Sequence, residues 1–193
     1  MTRWRVLIAD NEALMRDELS AMLAEEGFEV VGCADDSAQA LALAAELRPD
    51  LVIMDAVTPS RAGVDAARDI VGQEIAPVVV LVPATQPELT GSEQDCGGVA
   101  FLPRLFVKSE LLPAIQVAAA RFSESRTLKA QVADAAERER AHQVVRRAKE
   151  LMIAQQHMTE VDAADWLRRA AARRQAALHD IAGMVVDGLS AHV

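Results

Sequence analysis

The sequence predicts an α/β domain with a parallel sheet of five strands, followed by a smaller all-helical part. Over residues 4–120, short apolar runs alternate with helical patterns, and the runs are almost continuous in apolar residues, as is typical of strands covered on both faces. From about residue 108 onwards the sequence reads as helices without any strand pattern. A chain of 193 residues has room for one standard domain and a smaller one.

The elements of the first part follow from apolar spacing. Predicted strands cover residues 4–9, 28–33, 51–54, 78–82 and 99–102, and predicted helices cover residues 13–26, 37–47 and 63–71. Gly27 closes the first helix, and Asp35 or Asp36 caps the second. The helical spacing of the first helix runs through Leu14, Leu19, Met22 and Leu23. Right-handed crossovers place the loops that follow the strands along one edge of the sheet, where ligands of such sheets bind.

The second part reads as four helices, over residues 108–140, 142–156, 160–174 and 177–189, with Thr159 as an N-cap. The first of them carries an interrupted apolar stripe near the 3.5-residue repeat: Ile115, Ala118, Phe122, Leu128, Val132 and Ala135. This stripe favours a helix that leaves the sheet domain to pair with a partner helix; the alternative is a helix lying on its own domain. The predicted domains are residues 1–120, a coiled-coil linker helix at 121–141 and a small helical domain at 142–193.

Helical spacing assigns buried and exposed faces to the last three helices. The side chains assigned to the core are Val144, Val145, Ala148, Leu151 and Met152; then Ala163, Trp166, Leu167 and Ala170; then Leu178, Ile181, Ala182, Val185 and Leu189.

Composition limits the class of protein. No apolar run approaches the roughly 18 residues of a membrane-spanning helix, and the N-terminal residues show no secretory pattern, so we expect a cytoplasmic protein without a membrane partner. The two cysteines, Cys33 and Cys96, have no disulfide or zinc spacing. Residues 1–120 hold 8 Lys or Arg against 19 Asp or Glu, whereas residues 121–193 hold 12 against 10. Only the C-terminal part therefore favours contact with a polyanion.

Two aspartates stand at the ends of strands. Asp10 follows the first strand and Asp55 follows the third, so both should converge at one edge of the sheet. Crowded carboxylates repel one another, and a bound divalent cation such as Mg²⁺ relieves the repulsion. An aspartate shielded in this way can attack a phosphoryl donor and become an aspartyl phosphate. The alternative is that Asp10 caps the first helix while Asp55 starts a loop.

Around these aspartates, three stretches match the first, third and fourth strand regions of a known family in order and spacing: RVLIADNEALMRDEL, PDLVIMDAVTPSRAGVDAARDI and APVVVLVPA. They resemble the receiver domains of bacterial response regulators, over residues 4 to about 120. The resemblance implies a flavodoxin-like fold, which is a doubly wound parallel sheet of five strands, with Asp55 as the phosphoacceptor. It places Mg²⁺ at Asp10, Asn11, Asp55 and the carbonyl of Val57, and implies a histidine kinase or another signalling protein as a partner.

The remaining receiver positions depart from the family. Asn11 stands where the family usually has a second acid, which predicts weak Mg²⁺ binding, and Val82 replaces a Thr or Ser whose hydroxyl contacts the phosphoryl group. In FLPRLF, Phe101 keeps an aromatic position, but Arg104 replaces a lysine and Leu105 a proline. Arginine can still pair with phosphate, although its planar fork differs from a lysine's point charge. The site is interpreted as inherited but altered, with weakened phosphorylation.

The helical part carries a second resemblance. VVRRAKELM (residues 144–152), MTEVDAADWLRRAA (158–171) and LHDIAGMVV (178–186) resemble the ANTAR domain, an RNA-binding module of transcription antiterminators. The resemblance implies a dimer that binds paired RNA hairpins in a leader transcript and favours an antiterminator structure over a terminator. Glu150 stands where that family usually has glycine, which places an acid beside Lys149. Ala164 stands where it usually has an aromatic residue, for which Trp166 is expected to compensate in the core.

Five basic residues on predicted exposed faces are the candidate RNA contacts: Arg146, Lys149, Arg168, Arg169 and Arg173. The alternative is ordinary solvated helix surface, with Asp165 paired with Arg169 and Glu150 paired with Arg146 or Arg147.

These patterns together predict a response regulator that acts as a dimeric RNA-binding antiterminator through an atypical receiver. The alternative is a signalling or scaffold protein whose receiver binds a protein or small ligand and whose helices only dimerise. A DNA-binding output is disfavoured because no helix-turn-helix with a glycine turn is evident. An enzyme is disfavoured because no nucleophile with a paired base, phosphate loop or metal-ligand cluster appears in the sequence.

Overall fold

A computed structural model describes residues 3–56, 62–83 and 97–190 of the chain. The strands are β1 (Arg5–Ala9), β2 (Glu29–Ala34), β3 (Leu51–Asp55), β4 (Val78–Val82) and β5 (Val99–Pro103). The helices are α1 (Ala13–Glu25), α2 (Ser37–Leu47), α3 (Ala62–Gly72), α4 (Lys108–Gln156), α5 (Glu160–Arg174) and α6 (Leu178–Ser190). The chain divides into two units, residues 1–128 and 129–193.

The five strands form one sheet in the order β2-β1-β3-β4-β5, and every neighbouring pair is parallel. This order confirms the predicted doubly wound parallel sheet. The register brings the C-terminal ends of neighbouring strands level, because Ala9 pairs with Met54 and Asp55 pairs with Leu81. The residues that follow β1, β3 and β5 therefore meet at a common edge.

Both faces of the sheet are buried, as the apolar strands predicted. Alternate strand residues contribute to two clusters, one containing Leu7, Val52 and Val80 and the other Ile8, Ile53 and Val79. Helices α2 and α3 cover the first cluster, whereas α1 and the beginning of α4 cover the second. The N-cap of α2 is Asp36, whose carboxylate accepts a hydrogen bond from the Gln39 N–H at 2.7 Å.

Helix α4 is a single helix of 49 residues, so the predicted break near residue 141 was wrong. No glycine lies within it, and its one proline, Pro113, stands in its second turn, so nothing in the sequence ends the helix there. Its apolar stripe has two parts. Ile115, Ala118 and Phe122 are buried against the sheet domain, so this part of the helix lies on its own domain, which was the alternative to pairing with a partner helix. Leu128 and Val132 are exposed.

The end of α4 packs with α5 and α6 around a core of small and medium side chains. The fully buried members are Ala148, Met152, Ala163, Leu167, Ala170, Ile181 and Ala182. The Thr159 hydroxyl accepts a hydrogen bond from the Asp162 N–H at 3.1 Å, which confirms the predicted N-cap of α5. None of the helices in the described ranges combines the length and apolarity needed to cross a bilayer.

Trp166 and Leu178, which were predicted to be buried, are exposed instead, as is Leu14 from the apolar spacing of the first helix. Leu14 precedes the buried Leu19 by five residues, which places it about 140° away around α1. Trp166 immediately precedes the buried Leu167, about 100° away around α5. The buried faces of α1 and α5 are therefore narrower than the apolar spacing predicted. The expectation that Trp166 fills the core was wrong.

Gly63 marks a close approach of α3 to the end of β3. A Cβ atom at this position would lie 2.0 Å from the carbonyl oxygen of Asp55 and 3.0 Å from the backbone of Ala56. We expect Gly63→Ala to push α3 away from the strand and to lower the free energy of unfolding by about 1–3 kcal/mol, the usual cost of overpacking. Urea unfolding followed by circular dichroism measures this change.

Gly72→Ala is the matched control in the same helix. A Cβ atom there would meet nothing within 4 Å, so we expect a neutral effect or a gain of up to about 1 kcal/mol from helix propensity. Equal free energies of unfolding for the two variants would contradict the close approach at Gly63.

Candidate functional site

Asp10 and Asp55 lie at the carboxyl edge of the sheet, as strand order requires. Asp10 follows β1 and Asp55 is the last residue of β3, and their side chains are 0% and 2% exposed. They are the only buried charged residues among those the structure describes. Because burial opposes ionisation of a carboxyl group, two such acids at one edge need a compensating positive charge.

Arg104, in the segment after β5, supplies this charge. Its Nη1 donates a hydrogen bond to Asp55 Oδ2 at 2.9 Å, while its Nη2 lies 3.3 Å from Asp10 Oδ1 and 2.8 Å from Glu12 Oε1. Its own N–H donates to the Val82 carbonyl at 2.8 Å, which continues the β4–β5 pairing by one residue. One guanidinium therefore joins three carboxylates from two strand ends.

The charge of Arg104 is firmly held. Its side chain is 19% exposed, and burial disfavours its charge, but the attraction of Asp55, Asp10 and Glu12 outweighs this effect and raises the pKa of Arg104 above its ordinary value. Arg104 therefore remains cationic at any pH at which the protein is folded.

Asp10 has a second role in the backbone. Its Oδ1 accepts a hydrogen bond from the Glu12 N–H at 2.8 Å, and its carbonyl accepts one from Arg16 Nη1 at 2.6 Å. The N-cap residue of α1 is Glu12, which makes no side-chain cap bond, so Asp10 holds the turn before the helix instead of capping the helix itself. The alternative that Asp10 caps the first helix is therefore wrong, although its carboxylate does order the turn that leads into the helix.

The described side chains do not fit a divalent cation in this arrangement. They include no group of three or more acids, histidines or cysteines suited to a metal. The two buried acids already share the guanidinium of Arg104, and Asn11 is exposed. Asp10 Oδ2, which accepts no hydrogen bond from the described residues, is one available oxygen, but a cation there would face Arg104. Val57, the fourth expected ligand, lies outside the described residues.

The other altered receiver positions lie around the same edge. Val82 ends β4 and is 2% exposed, so a buried apolar side chain stands where receiver domains usually have a hydroxyl. Phe101 in β5 is partly buried and packs against the core. Leu105, directly after Arg104, is 88% exposed.

The candidate RNA contacts in the helical unit divide into two groups. Lys149 Nζ pairs with Glu160 Oε1 at 2.9 Å, and Arg168 Nη1 pairs with Asp165 Oδ1 at 2.7 Å. The Lys149 contact holds the pKa of Glu160 below its usual range through a hydrogen bond and charge attraction. The remaining candidates form no ion pair with a carboxylate of the described chain: Arg146, Arg169 and Arg173.

Of the two pairs expected for an ordinary surface, one is present and one is not. Asp165 pairs with Arg168, while Arg169 donates only to the Asp165 carbonyl at 3.3 Å. Glu150 pairs with Arg147 at 3.5 Å, which was one of the two expected arrangements. Sequence reasoning did not identify Glu160 as the partner of Lys149. The two residues are eleven apart and meet only because α5 packs beside α4.

Sequence comparison places two families on the chain. Residues 6–116 match the family model of the response regulator receiver domain, and residues 133–186 match that of the ANTAR domain. The chain is 44% identical over 185 residues to the transcriptional regulatory protein PdtaR of Mycobacterium tuberculosis strain H37Rv, covering 96% of this chain and 90% of that protein. It is 28% identical over 153 residues to the DNA-binding response regulator MtrA of the same strain, covering 78% and 66%.

Solved structures match the sheet domain. The signal receiver domain of the response regulator NarL from Mycobacterium tuberculosis superposes with a TM-score of 0.55 at 25% identity, over 62% of this chain and 98% of that one. The receiver domain of the PhyR response regulator from Erythrobacter litoralis superposes with a TM-score of 0.51 at 28% identity, over 61% and 91%. Both structures have the flavodoxin-like fold that the sequence predicted.

Arg104→Ala tests the role of the arginine as an internal cation. Removal of Arg104 takes one hydrogen-bonded positive charge from the buried Asp10 and Asp55, so we expect the free energy of unfolding to fall by about 3 kcal/mol in buffer with EDTA. Millimolar Mg²⁺ should return part of this loss to the variant, because the ion then no longer competes with the guanidinium for Asp10 and Asp55. Guanidinium chloride unfolding with and without Mg²⁺ measures both effects.

Lys108→Ala is the control in the same unit. Lys108 pairs with Glu25 at 2.6 Å and Glu26 at 3.0 Å but is 42% exposed, so its loss should change the free energy of unfolding little and create no response to Mg²⁺. Stabilisation of the wild-type chain by Mg²⁺ to the same extent as Arg104→Ala would contradict the internal-cation role.

Proposed function

Because the chain belongs to the response regulators that join a receiver domain to an ANTAR domain, we propose that it acts as a dimeric, RNA-binding transcription antiterminator whose receiver is weakened in phosphorylation. In this proposal the protein binds paired hairpins of a leader transcript and favours the antiterminator structure. An antiterminator acts on nascent RNA, so the proposed place of action is the cytoplasm.

The observation that carries the RNA-binding proposal is the group of exposed arginines without acidic partners. Arg169 and Arg173 lie four residues apart on α5, so they share one face of the helix. A surface that serves no ligand usually mixes charges of both signs, as Arg168 and Asp165 do on the same helix. Uncompensated arginines on an exposed helix face suit the phosphates of RNA.

Dimerisation is proposed through the exposed part of α4. Leu128 and Val132 are 54% and 68% exposed, and they lie four residues apart, as do successive core positions of a coiled coil. A partner helix would bury both side chains. We propose residues 121–141 as the linker helix of the dimer, between a receiver at residues 1–120 and an RNA-binding domain at residues 142–193.

Weakened phosphorylation is proposed from the chemistry around Asp55, the residue at the phosphoacceptor position. Arg104 is the cation that would pair with a transferred phosphoryl group, and it is already held by Asp55, Asp10 and Glu12. Val82 offers no hydroxyl to the transferred group. Receiver domains generally use Mg²⁺ for this reaction, and the expected ligands Asp10, Asn11 and Asp55 provide only two carboxylates. A histidine kinase or another signalling protein remains the proposed upstream partner.

Lys149→Ala combined with Arg169→Ala tests RNA binding. The probe is RNA that co-purifies with the full-length chain, identified by sequencing and used in fluorescence anisotropy at several salt concentrations. Each phosphate contact contributes about 0.7–0.9 to the magnitude of the slope of log affinity against log salt concentration. We therefore expect the double variant to bind RNA more weakly, with a slope that is smaller in magnitude by up to about 1.8.

Arg138→Ala removes one cation from an exposed pair with Asp134 on α4 and is the matched control, for which we expect binding close to that of the wild type. A wild-type chain that dimerises at all salt concentrations but retains no RNA would contradict the proposal. That result would support the scaffold alternative, in which the helices only dimerise.

Val82→Thr combined with Arg104→Lys tests the account of weakened phosphorylation. The first change adds a hydroxyl at the end of β4, and the second replaces the guanidinium fork by one ammonium group. With acetyl phosphate and Mg²⁺, we expect acid-stable, base-labile labelling of the variant to be about ten-fold faster or more, since one donor to developing charge is typically worth 10²–10³-fold.

Asp55→Asn in the same background should abolish the label, which identifies the modified residue. Labelling of the wild-type chain at the same rate as the double variant would show that Val82 and Arg104 do not limit the reaction.

A further inference from the structure

Helices α5 and α6 enclose a hollow on the surface of the helical unit, with a volume of about 330 Å³. The α5 side is formed by Trp166, Ala170, Arg173 and Arg174, and the α6 side by Ile181, Met184 and Val185. Ligand pockets in proteins span roughly 300–1,000 Å³, so this hollow is at the small end of the range. It suits one flat group better than a helix or an extended peptide.

Trp166 gives the hollow an aromatic surface. Its side chain is 39% exposed, whereas Ala163, Leu167 and Ala170 of the same helix are buried in the core. A large apolar ring that remains partly in water contributes less to folding than a buried one. The exposed part of Trp166 is therefore available to a partner outside the unit.

The wall of the hollow also carries uncompensated positive charge. Arg173 and Arg174 form no ion pair with a carboxylate of the described residues, and no acid lines the hollow. Arg174 Nη1 lies 3.2 Å from Met184 Sδ, which places this guanidinium between the two helices. Arg173 and Arg174 stand in the last turn of α5, where positive charge interacts favourably with the helix dipole. This interaction explains the two cations but does not explain the exposed indole beside them.

We propose that this hollow binds one unstacked base of an RNA loop, with the base stacked on Trp166 and the flanking phosphates paired with Arg173 and Arg174. The inference rests on the proposed RNA-binding function and adds a base-contacting site to it. Trp166 and Arg174 are new to the set of contacts, because the sequence pattern had assigned Trp166 to the core and had not included Arg174.

An aromatic face bordered by arginines matches the chemistry of a single-stranded nucleotide. Every base has a π-face that stacks on an aromatic ring, and its backbone carries the phosphates that arginine binds in a bidentate manner. Bases within a duplex are already stacked on their neighbours, whereas loop bases are free to leave the stack. The hollow therefore distinguishes loop RNA from stem RNA.

Trp166 itself can report the contact. The chain has two tryptophans, and Trp4 lies in the sheet domain, where it makes an edge contact with Phe28. In a full-length Trp4→Phe chain, all tryptophan fluorescence comes from Trp166. The probes are a hairpin taken from RNA that co-purifies with the chain and the same hairpin with an abasic loop, which keeps every phosphate but offers no loop base to stack.

We expect the intact hairpin to quench the fluorescence of Trp166 and the abasic hairpin to leave it nearly unchanged. Trp166→Leu keeps an apolar side chain but loses the aromatic face, so its affinity for the intact hairpin should fall about ten-fold. This affinity should then equal the affinity of the wild-type chain for the abasic hairpin. Trp166→Phe should retain most of the affinity. Arg173→Ala should weaken binding of both hairpins and reduce the salt slope by about 1.

The outcomes separate this site from the proposed function. Equal quenching by both hairpins, or equal affinity of wild type and Trp166→Leu for the intact hairpin, would overturn the base-binding site while RNA binding stands. A wild-type chain that binds neither hairpin would overturn the proposed function itself. Circular dichroism checks the fold of Trp166→Leu, and if this variant unfolds, the comparison of the two hairpins on the Trp4→Phe chain decides alone.

Discussion

The ion pairs of Arg104 are the constraint on which the edge of the sheet depends. Strand order places Asp10 and Asp55 side by side and almost fully buried, where ionised carboxylates are costly unless they are paired. Arg104 contacts both and also reaches Glu12, so the segments that follow β1, β3 and β5 are joined through one guanidinium. At an effective dielectric constant of about 20, a pair of unit charges roughly 4 Å apart gains about 4 kcal/mol, which is large beside the net stability of a domain.

The same contacts connect structure to the proposed signalling behaviour. A lysine at this position would present one point charge, whereas arginine presents a fork that bonds two acids at once. The arginine therefore stabilises the acids together and competes with any other cation for them. Val82 removes a hydroxyl from the neighbouring strand end. This receiver therefore has the fold of its family. The guanidinium of Arg104 is paired with the carboxylates of Asp10 and Asp55, which phosphoryl transfer would require.

In the helical unit, packing decides which basic residues pair with an acid and which do not. Lys149 and Arg168 are held by Glu160 and Asp165, whereas Arg169 and Arg173 have no acidic partner in the described residues. Both arginines lie on the helix that also exposes Trp166, and Arg173 lines the hollow formed with α6. Pairing reduces the charge available to a polyanion, and unpaired arginines near an aromatic ring are the more suitable nucleic-acid surface.

The sequence by itself determined the parallel five-stranded sheet, the limits of most strands and helices, the cap at Thr159, and Asp10 and Asp55 as residues of interest, whereas Arg104 was identified through the resemblance to receiver domains. Those features depend on local spacing and on strand-end position, which a sequence displays. Tertiary structure alone decided that Arg104 joins three acids, that Lys149 meets Glu160, and that Trp166 faces the hollow. These outcomes depend on the orientation of each helix about its axis and on contacts between residues far apart in the sequence. The periodicity of a single helix determines neither of them.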